Sequence, residues 1–363
     1  MKLWIVVFFI LPITGMCYAA WRIWWILPAS ILVKIIAILL LTAGFFGLIF
    51  YLHAGLDSFS RPMAIALYES ITTWPVVLLY LVIVFLVLDL GRIAGLVPHE
   101  WMFHSMKGTL AIATFITVLM IYGNWNYRQK IRQPIDISTE KKLKKPLKIV
   151  MLSDLHLGYH NRRTELSRWI DILNAEHADL ILIGGDIIDI SVKPLIDENM
   201  SEEWHRLNAP VYACLGNHEY YAQSKRAQQF YSDANIHLLR DTIATFAGID
   251  IVGRDDRTNP NRKPLAQIMK QHQSGNYTIL LDHQPHKLEK AEQSGIDFQF
   301  SGHTHYGQVW PISWVEDLMY EKAFGPYQRG NTHYYISSGI GIWGAKIRIG
   351  TRSEYIVMNL HAK

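Results

Sequence analysis

The first third of this chain is almost free of charged side chains. Residues 1–127 contain six basic and four acidic residues, whereas the other 236 residues carry 56 charged ones. So long and apolar a segment is typical of a membrane region, and the remainder has the composition of a water-soluble domain. We therefore expect a transmembrane helical region at 1–127, a basic linker at 128–147 and a folded domain at 148–363.

Four apolar stretches are long enough, or nearly so, to cross about 30 Å of hydrocarbon. They run from Leu3 to about Ala20, through the residues that follow Lys34, onward from Pro75, and from Gly108 to Gly123. Tryptophans, among them Trp74, stand at the ends of these stretches, as interfacial side chains do. The first stretch also fits a cleaved signal peptide, which would leave three spans and reverse the topology.

The distribution of Lys and Arg predicts the orientation. With four spans, the side that holds the N-terminus and the C-terminal domain collects more basic residues than the opposite side, so we expect a multi-pass protein of the cell membrane with a cytoplasmic domain. Asp89 and Arg92 lie three residues apart in the third stretch. This spacing favours mutual neutralisation near the interface, and a polar transport path is the alternative.

The segment after the last span is strongly basic. Residues 128–148 contain eight basic and two acidic side chains and two prolines. This composition fits either a solvated connector or a segment that lies on anionic headgroups.

Beyond this linker, short apolar runs alternate with amphipathic stretches, which predicts an α/β domain. Five of the runs end in polar motifs, which read SDLH, GDIID, GNHE, DHQP and SGHTH. Ligands bind at the carboxyl ends of strands in α/β sheets, so we expect these motifs to meet at one edge.

The side chains in these motifs are metal ligands by type. Carboxylate, imidazole and carboxamide groups without a thiolate suit Mn, Fe or Zn. The seven candidate donors are Asp154, His156, Asp186, Asn217, His283, His303 and His305. Seven donors are too many for one ion but fit two that share a carboxylate, and such a pair can hold a bridging hydroxide and clamp a transferring phosphoryl group.

The order of the motifs resembles that of the calcineurin-like metallophosphoesterases. D-x-H, G-D-x-x-D, G-N-H-E, a lone His and G-H-x-H follow one another, and the closing stretch from SGHTHYGQVWP onward resembles the bacterial membrane-anchored branch. The resemblance covers nearly all of 148–363. It implies a four-layer α-β-β-α sandwich and a hydrolase with two divalent metal ions, Mn first, with Fe, Zn or Mg as alternatives.

The resemblance also implies a role for each ligand. Asp154, His156 and His305 would hold one metal, Asn217, His283 and His303 the other, and Asp186 would bridge them. His218 resembles the histidine that stabilises the phosphate or protonates the leaving oxygen. Two positions depart from the branch, namely Tyr306, where glycine is usual, and Ala345-Lys346, which replaces a proline pair.

These observations predict a membrane-anchored phosphoesterase that acts on a phosphomonoester or phosphodiester. The expected partners are membrane lipids and a phosphoester substrate, and a lipid-linked substrate is the narrower expectation. A metal-dependent, non-catalytic sensor or regulatory domain on a membrane transport protein is the alternative. Arg348 and Arg352 fit either a phosphate or headgroup site or paired surface charges. We expect no nucleic-acid partner, because the positive charge is concentrated at the membrane junction.

Overall fold

The computed structural model describes residues 10–222, 224–270 and 274–363 and falls into two compact units. One unit comprises the residues up to Trp125 together with Gly344–Ile347, and the other comprises Asn126–Trp343 and Arg348–Lys363. The first unit is helical, and its long helices are α1 (Leu11–Ile26), α2 (Ile31–Ala54), α3 (Arg61–Ile93) and α4 (Met106–Arg128).

Three of these helices, α2, α3 and α4, are long and apolar enough to cross a membrane. They correspond to three of the four expected stretches. The first stretch begins at Leu3, outside the described residues, and α1 covers only its later part. A fourth span therefore stays a prediction.

Helix α3 differs from its expected form because it begins at Arg61 and continues through Pro75. Trp74 consequently lies in the helix interior rather than at a span end. Its indole Nε1 donates a hydrogen bond of 2.7 Å to the carbonyl oxygen of Leu41 in α2. Gly44 permits this approach, because a Cβ at that position would lie 2.1 Å from the indole ring.

Asp89 is neutralised across helices instead of within its own. Its carboxylate lies 2.5 Å from the guanidinium of Arg22 in α1 and accepts a hydrogen bond of 2.5 Å from Tyr18. Arg92 packs over the ring of Phe103 at 5.8 Å. The Asp89–Arg92 pair expected from the i,i+3 spacing is therefore wrong, because tertiary packing supplies Asp89 with a closer cation.

The second unit contains two six-stranded sheets. The first has the strand order β1-β12-β2-β3-β4-β5 and the second β10-β11-β9-β8-β7-β6. The strands of the first sheet are β1 (Lys130–Thr139), β2 (Leu147–Leu152), β3 (Leu180–Ile183), β4 (Val211–Ala213), β5 (Ile236–Leu238) and β12 (Ser353–Ala362). Those of the second are β6 (Thr242–Phe246), β7 (Ile249–Gly253), β8 (Tyr277–Leu281), β9 (Phe298–Ser301), β10 (Gly325–Arg329) and β11 (Thr332–Ile336).

Helices cover the outer face of each sheet, which gives the expected four-layer α-β-β-α sandwich. The helices of this unit are α5 (Arg163–Ala175), α6 (Lys193–Asp197), α7 (Met200–Trp204), α8 (Asn217–Tyr221), α9 (Ser224–Asp233), α10 (Leu265–Lys270), α11 (Glu289–Gln293) and α12 (Ile312–Met319). Side chains such as Ile149, Ile251 and Phe300 fill the space between the sheets. On the outer faces, Trp169 of α5 packs in the cluster against the first sheet, and Leu288, which precedes α11, packs in the cluster against the second sheet.

Strand β1 lies within the segment expected to be a basic linker. It pairs in parallel with β12 over its whole length, from Lys130 opposite Ser353 to Thr139 opposite Ala362. Ile135 and Ile137 pack against the core between the sheets. An edge strand tolerates both proline and charge, so a polar segment with alternating isoleucines can form one.

Candidate metal centre

The five polar motifs meet at one edge of the sandwich, where β2, β3 and β4 of the first sheet and β8 and β9 of the second end. The structure brings together all eight side chains predicted for the site: Asp154, His156, Asp186, Asn217, His218, His283, His303 and His305. Hydrogen bonds join the two sheets here. The amide of His303 donates to Asp154, and His283 Nδ1 lies 2.7 Å from the carbonyl oxygen of Gly184.

A first group of donors consists of Asp154, His156 and His305, all of them buried. The Nε2 atoms of His156 and His305 lie only 3.0 Å apart. Asp154 Oδ1 lies 3.9 Å from the former and 3.6 Å from the latter. Two imidazole nitrogens and a carboxylate oxygen within 4.8 Å of one another are a ligand set that could hold a divalent metal.

A second group consists of Asp186, His283 and His303, with Asn217 beside them. Asp186 Oδ2 lies 3.1 Å from His283 Nε2, and Asn217 Oδ1 lies 2.9 Å from His303 Nδ1. The set mixes carboxylate, imidazole and amide oxygen, as the sequence predicts.

Asp186 lies between the two groups. Its Oδ2 is 3.7 Å from His156 Nε2 in the first group and 3.1 Å from His283 Nε2 in the second. Its Oδ1 accepts a hydrogen bond of 3.0 Å from the amide of His218, which fixes the orientation of the carboxylate. One oxygen of Asp186 thus lies within 4 Å of an imidazole nitrogen from each group.

The candidate ligands differ in protonation. Burial lowers the pKa of His283, but Asp186 raises it, and the balance lies well above the usual value. Burial lowers the pKa of His303 to about 3, with a further contribution from His283. Burial and the adjacent His156 hold the pKa of His305 well below its usual value. Both rings are therefore neutral at pH 7, as metal ligands must be. Burial favours the protonated form of Asp186, yet nearby histidines, His283 first, hold its pKa well below the usual range.

Two further carboxylates, those of Glu219 and Asp189, contact the loops and rings that carry the candidate ligands. Glu219 accepts hydrogen bonds from the amides of Gly216 at 2.7 Å and Ile188 at 3.0 Å, and so joins the loops after β3 and β4. Asp189 Oδ1 lies 3.2 Å from His218 Nδ1 and 3.5 Å from His156 Nδ1. These contacts orient both rings, as ligand-supporting groups do in metal sites.

Arg348 contributes to the site in a way that the sequence did not reveal. It is fully buried, so it is not a surface charge. Its guanidinium donates to the carbonyl oxygens of His305 at 3.0 Å and Gly341 at 3.1 Å, and it also donates to Ser338. Arg348 thus fixes the main chain at a candidate ligand. Arg352 pairs with Glu354 at 2.9 Å.

Tyr306, the departure from the family pattern after His305, has a φ of 49°. That left-handed conformation is the one that glycine adopts without strain, which explains the usual glycine. Here the tyrosine ring stacks on Phe324 at 4.8 Å, and its hydroxyl donates to Asp317 at 3.1 Å. Both contacts offset the backbone strain.

Known proteins with similar sequences are metallophosphoesterases. The family model for calcineurin-like phosphoesterases matches residues 147–307. An uncharacterized metallophosphoesterase of Campylobacter jejuni is 33% identical over 257 residues, which cover 68% of each chain. The chain belongs to the calcineurin-like phosphoesterase family.

Other relatives of this metallophosphoesterase also combine the domain with a membrane region. A Danio rerio protein described as a transmembrane protein with metallophosphoesterase domain is 29% identical over 272 residues, covering 69% of this chain and 62% of its own. Among solved structures, the NAD nucleotidase of Haemophilus influenzae aligns over 53% of this chain and 45% of its own, at 18% identity and a TM-score of 0.37. Family membership and the clustered His and Asp residues support a phosphoric ester hydrolase that binds divalent metal.

Proposed function

We propose that this metallophosphoesterase hydrolyses a phosphomonoester or phosphodiester of a lipid-linked substrate and that it binds two divalent metal ions, with Mn²⁺ preferred. One ion would be held by Asp154, His156 and His305, the other by Asn217, His283 and His303, and Asp186 would be shared.

The position of Asp186 is the observation that carries the proposal. A carboxylate oxygen within 4 Å of an imidazole nitrogen from each group is the arrangement that a shared ligand requires. The donor types support the same assignment, because carboxylate, imidazole and amide oxygen are all ligands of divalent metals.

Divalent ions, when bound, supply stabilisation of the negative charge on a transferring phosphoryl group. The chain itself supplies the proton chemistry. Asp189 lies against Nδ1 of His218 at 3.2 Å, so Nε2 is the nitrogen that can donate a proton to the leaving oxygen. Burial lowers the pKa of His218, but Asp186 and Asp189 raise it, and the balance is upward and favours the protonated ring.

Asp186→Asn in the full-length protein is the direct test. We expect wild-type protein with Mn²⁺ to hydrolyse p-nitrophenyl phosphate or its bis-ester, and the variant to lose both bound metal and activity. Asp197→Asn is the matched control, because Asp197 pairs with Lys193 on a surface helix, α6, that contains none of the candidate ligands. Failure of the wild type to hydrolyse either compound, together with unchanged metal content in Asp186→Asn, would contradict the proposal.

His218→Gln separates proton transfer from metal binding. We expect it to lower kcat by about 10²- to 10⁴-fold, the usual contribution of a general acid, while metal content stays at the wild-type level. Loss of metal in this variant would instead assign His218 a ligand role.

Helix α12 supports a lipid-linked substrate. It begins five residues after Gly307, close in sequence to the candidate ligands His303 and His305. Trp314 is 61% exposed and Leu318 is 88% exposed, and their i,i+4 spacing places them on one face. Exposed tryptophan and leucine on one helix are typical of a membrane-interface segment.

The lipid-linked assignment predicts a change in cellular lipids. Cells that lack the protein should accumulate one phosphorylated lipid or lipid-linked intermediate, and Asp186→Asn should fail to reverse this. An unchanged lipid profile alongside accumulation of a soluble phosphoester would refute it. The Lys and Arg distribution further supports a cytoplasmic catalytic domain, which protease protection of membrane vesicles would test.

A further inference from the structure

Apart from the metal centre, the catalytic unit contains a strongly basic cavity. It has a volume of about 430 Å³ and lies among α10, α11, β8 and β9. Five basic side chains line it, against one acidic side chain, Asp282: Arg254, Arg257, Arg262, Lys287 and Lys290. Residues 149–363 carry 21 basic and 25 acidic side chains, so this concentration of positive charge stands in an otherwise acidic domain.

Two guanidinium groups form the inner part of the cavity. Arg254 and Arg262 both bind Asp282, at 2.9 Å and 3.0 Å, so one carboxylate holds two cations. Arg254 also donates to the carbonyl oxygen of Lys263 at 3.0 Å, and Arg262 to that of Asp255 at 3.0 Å. These contacts fix both groups in place, and one positive charge remains unneutralised.

Three further cations surround the opening. Arg257, Lys287 and Lys290 are exposed at the rim. Within the described residues, none of them forms an ion pair with a carboxylate, and Lys290 Nζ donates only to the amide oxygen of Gln293 at 3.0 Å. Fixed guanidiniums inside and exposed cations at the rim are suited to a phosphate group, which Arg binds in a bidentate manner.

A line of aromatic rings connects this cavity with the metal centre. His286 lines the cavity and lies 4.7 Å from the ring of Tyr320, which in turn lies 6.4 Å from the ring of His303. We infer that the cavity binds a second phosphate group of the substrate while the scissile phosphoester occupies the metal centre. This inference rests on the proposed function. The volume of the cavity is that of a site for a small phosphorylated molecule or headgroup.

Phosphate binding is measured independently of catalysis. Full-length protein in detergent, stripped of metal with a chelator, is titrated with pyrophosphate by calorimetry. We expect binding that weakens about tenfold or more in the double variant Arg257→Ala/Lys290→Ala, because two charge-assisted contacts are lost. Lys270→Ala, an exposed cation of α10 outside the cavity, should bind like the wild type. Absence of binding, or equal binding by all three proteins, would overturn the inference.

A second measurement addresses substrate choice. In bilayers, the ratio of kcat/KM for a phosphoester with a second phosphate to that for bis-p-nitrophenyl phosphate should fall about tenfold in the double variant. An unchanged ratio would overturn the inference, whereas absence of all hydrolysis would overturn the proposed function and leave the binding result intact. Competition by soluble pyrophosphate against vesicles that contain phosphatidate distinguishes a free phosphate from a headgroup. Binding of either one supports the inference if the double variant abolishes that binding.

Discussion

Backbone strain is concentrated at the metal centre. Five of the seven candidate ligands have a positive φ: Asp154 at 55°, His156 at 46°, Asp186 at 53°, His303 at 74° and His305 at 47°. Each such residue costs of order 1–3 kcal/mol when it is not glycine. The surrounding structure must therefore hold these residues firmly, and the strain fixes the directions in which their side chains point.

Arg348 is one of the groups that hold them. We expect Arg348→Lys to destabilise the protein by roughly 2–4 kcal/mol, because one ammonium cannot reach the carbonyl oxygens of His305 and Gly341 and also the hydroxyl of Ser353. Thermal unfolding monitored by circular dichroism checks the stability, and a Mn²⁺ titration checks the expected weaker metal binding.

Arg352→Lys is the control for this change. The side chain of Arg352 is 39% exposed and pairs with Glu354, so lysine can keep the charge interaction and we expect a loss below about 1 kcal/mol. Equal destabilisation by the two substitutions would contradict the anchoring role of Arg348.

At the scale of elements, the folded domain includes β1 and therefore begins before residue 148. A fragment that starts at residue 148 would make the ten-residue strand β12 the open edge of the first sheet, paired with β2 alone, and would remove Ile135 and Ile137 from the core. Exposed edges promote association, so we expect this fragment to aggregate and the 128–363 fragment to stay monomeric. Size-exclusion chromatography distinguishes the two, and a monomeric 148–363 fragment with the same Tm would show that β1 is dispensable.

Helix α12 carries a pH-sensitive carboxyl group. Burial, with a smaller contribution from Asp317, raises the pKa of Glu316 to about 7, above its value of about 4.5 in an unfolded chain. The stabilising contribution is therefore complete below pH 4.5 and is lost as the pH rises towards 7. We expect Glu316→Gln to raise the stability at pH 8 by about 1 kcal/mol after allowance for partial exposure, and to have little effect at pH 4.5.

Melting temperatures of the full-length protein in detergent at the two pH values check this prediction. Glu321→Gln serves as the control, because Glu321 is an exposed carboxylate that pairs with Arg329. A gain from Glu316→Gln that is the same at both pH values would contradict the role of its ionisation.

The elements that the sequence predicts well are those whose pattern is local. The apolar runs and the motifs that follow them are contiguous, so the strands that precede Asp154 and Asp186 can be recognised without knowledge of the fold. Strand β1 cannot, because its residues form a strand only when β12, more than 200 residues later, lies beside them. The contact of Arg348 with His305 and the Arg22–Asp89 pair cannot be recognised for the same reason, since the two residues of each contact are distant in sequence.

At the scale of the whole molecule, three segments of the chain differ in net charge. Residues 1–127 have a net charge of +2, residues 128–148 of +6 and residues 149–363 of −4, so the total of +4 hides their differences. The basic segment is partly neutralised by the catalytic unit, since Arg132 pairs with Glu176 at 2.9 Å and Lys141 with Asp297 at 2.6 Å. We expect the net positive charge of this segment to favour anionic headgroups.

A bilayer should therefore affect which substrates are used, and α12 is the element that tests this. Burying a large apolar side chain contributes about 1.5–3 kcal/mol, so Trp314 and Leu318 together can hold α12 at the interface. We expect Trp314→Ser/Leu318→Ser in bilayers to lower the ratio of turnover of a lipid-linked phosphoester to that of p-nitrophenyl phosphate by about tenfold. Ile196→Ser, which changes an equally exposed isoleucine of α6, should leave the ratio as in the wild type. An equal fall in both activities would indicate damage to the metal centre instead, since Tyr306, the residue after His305, donates a hydrogen bond to Asp317 of α12.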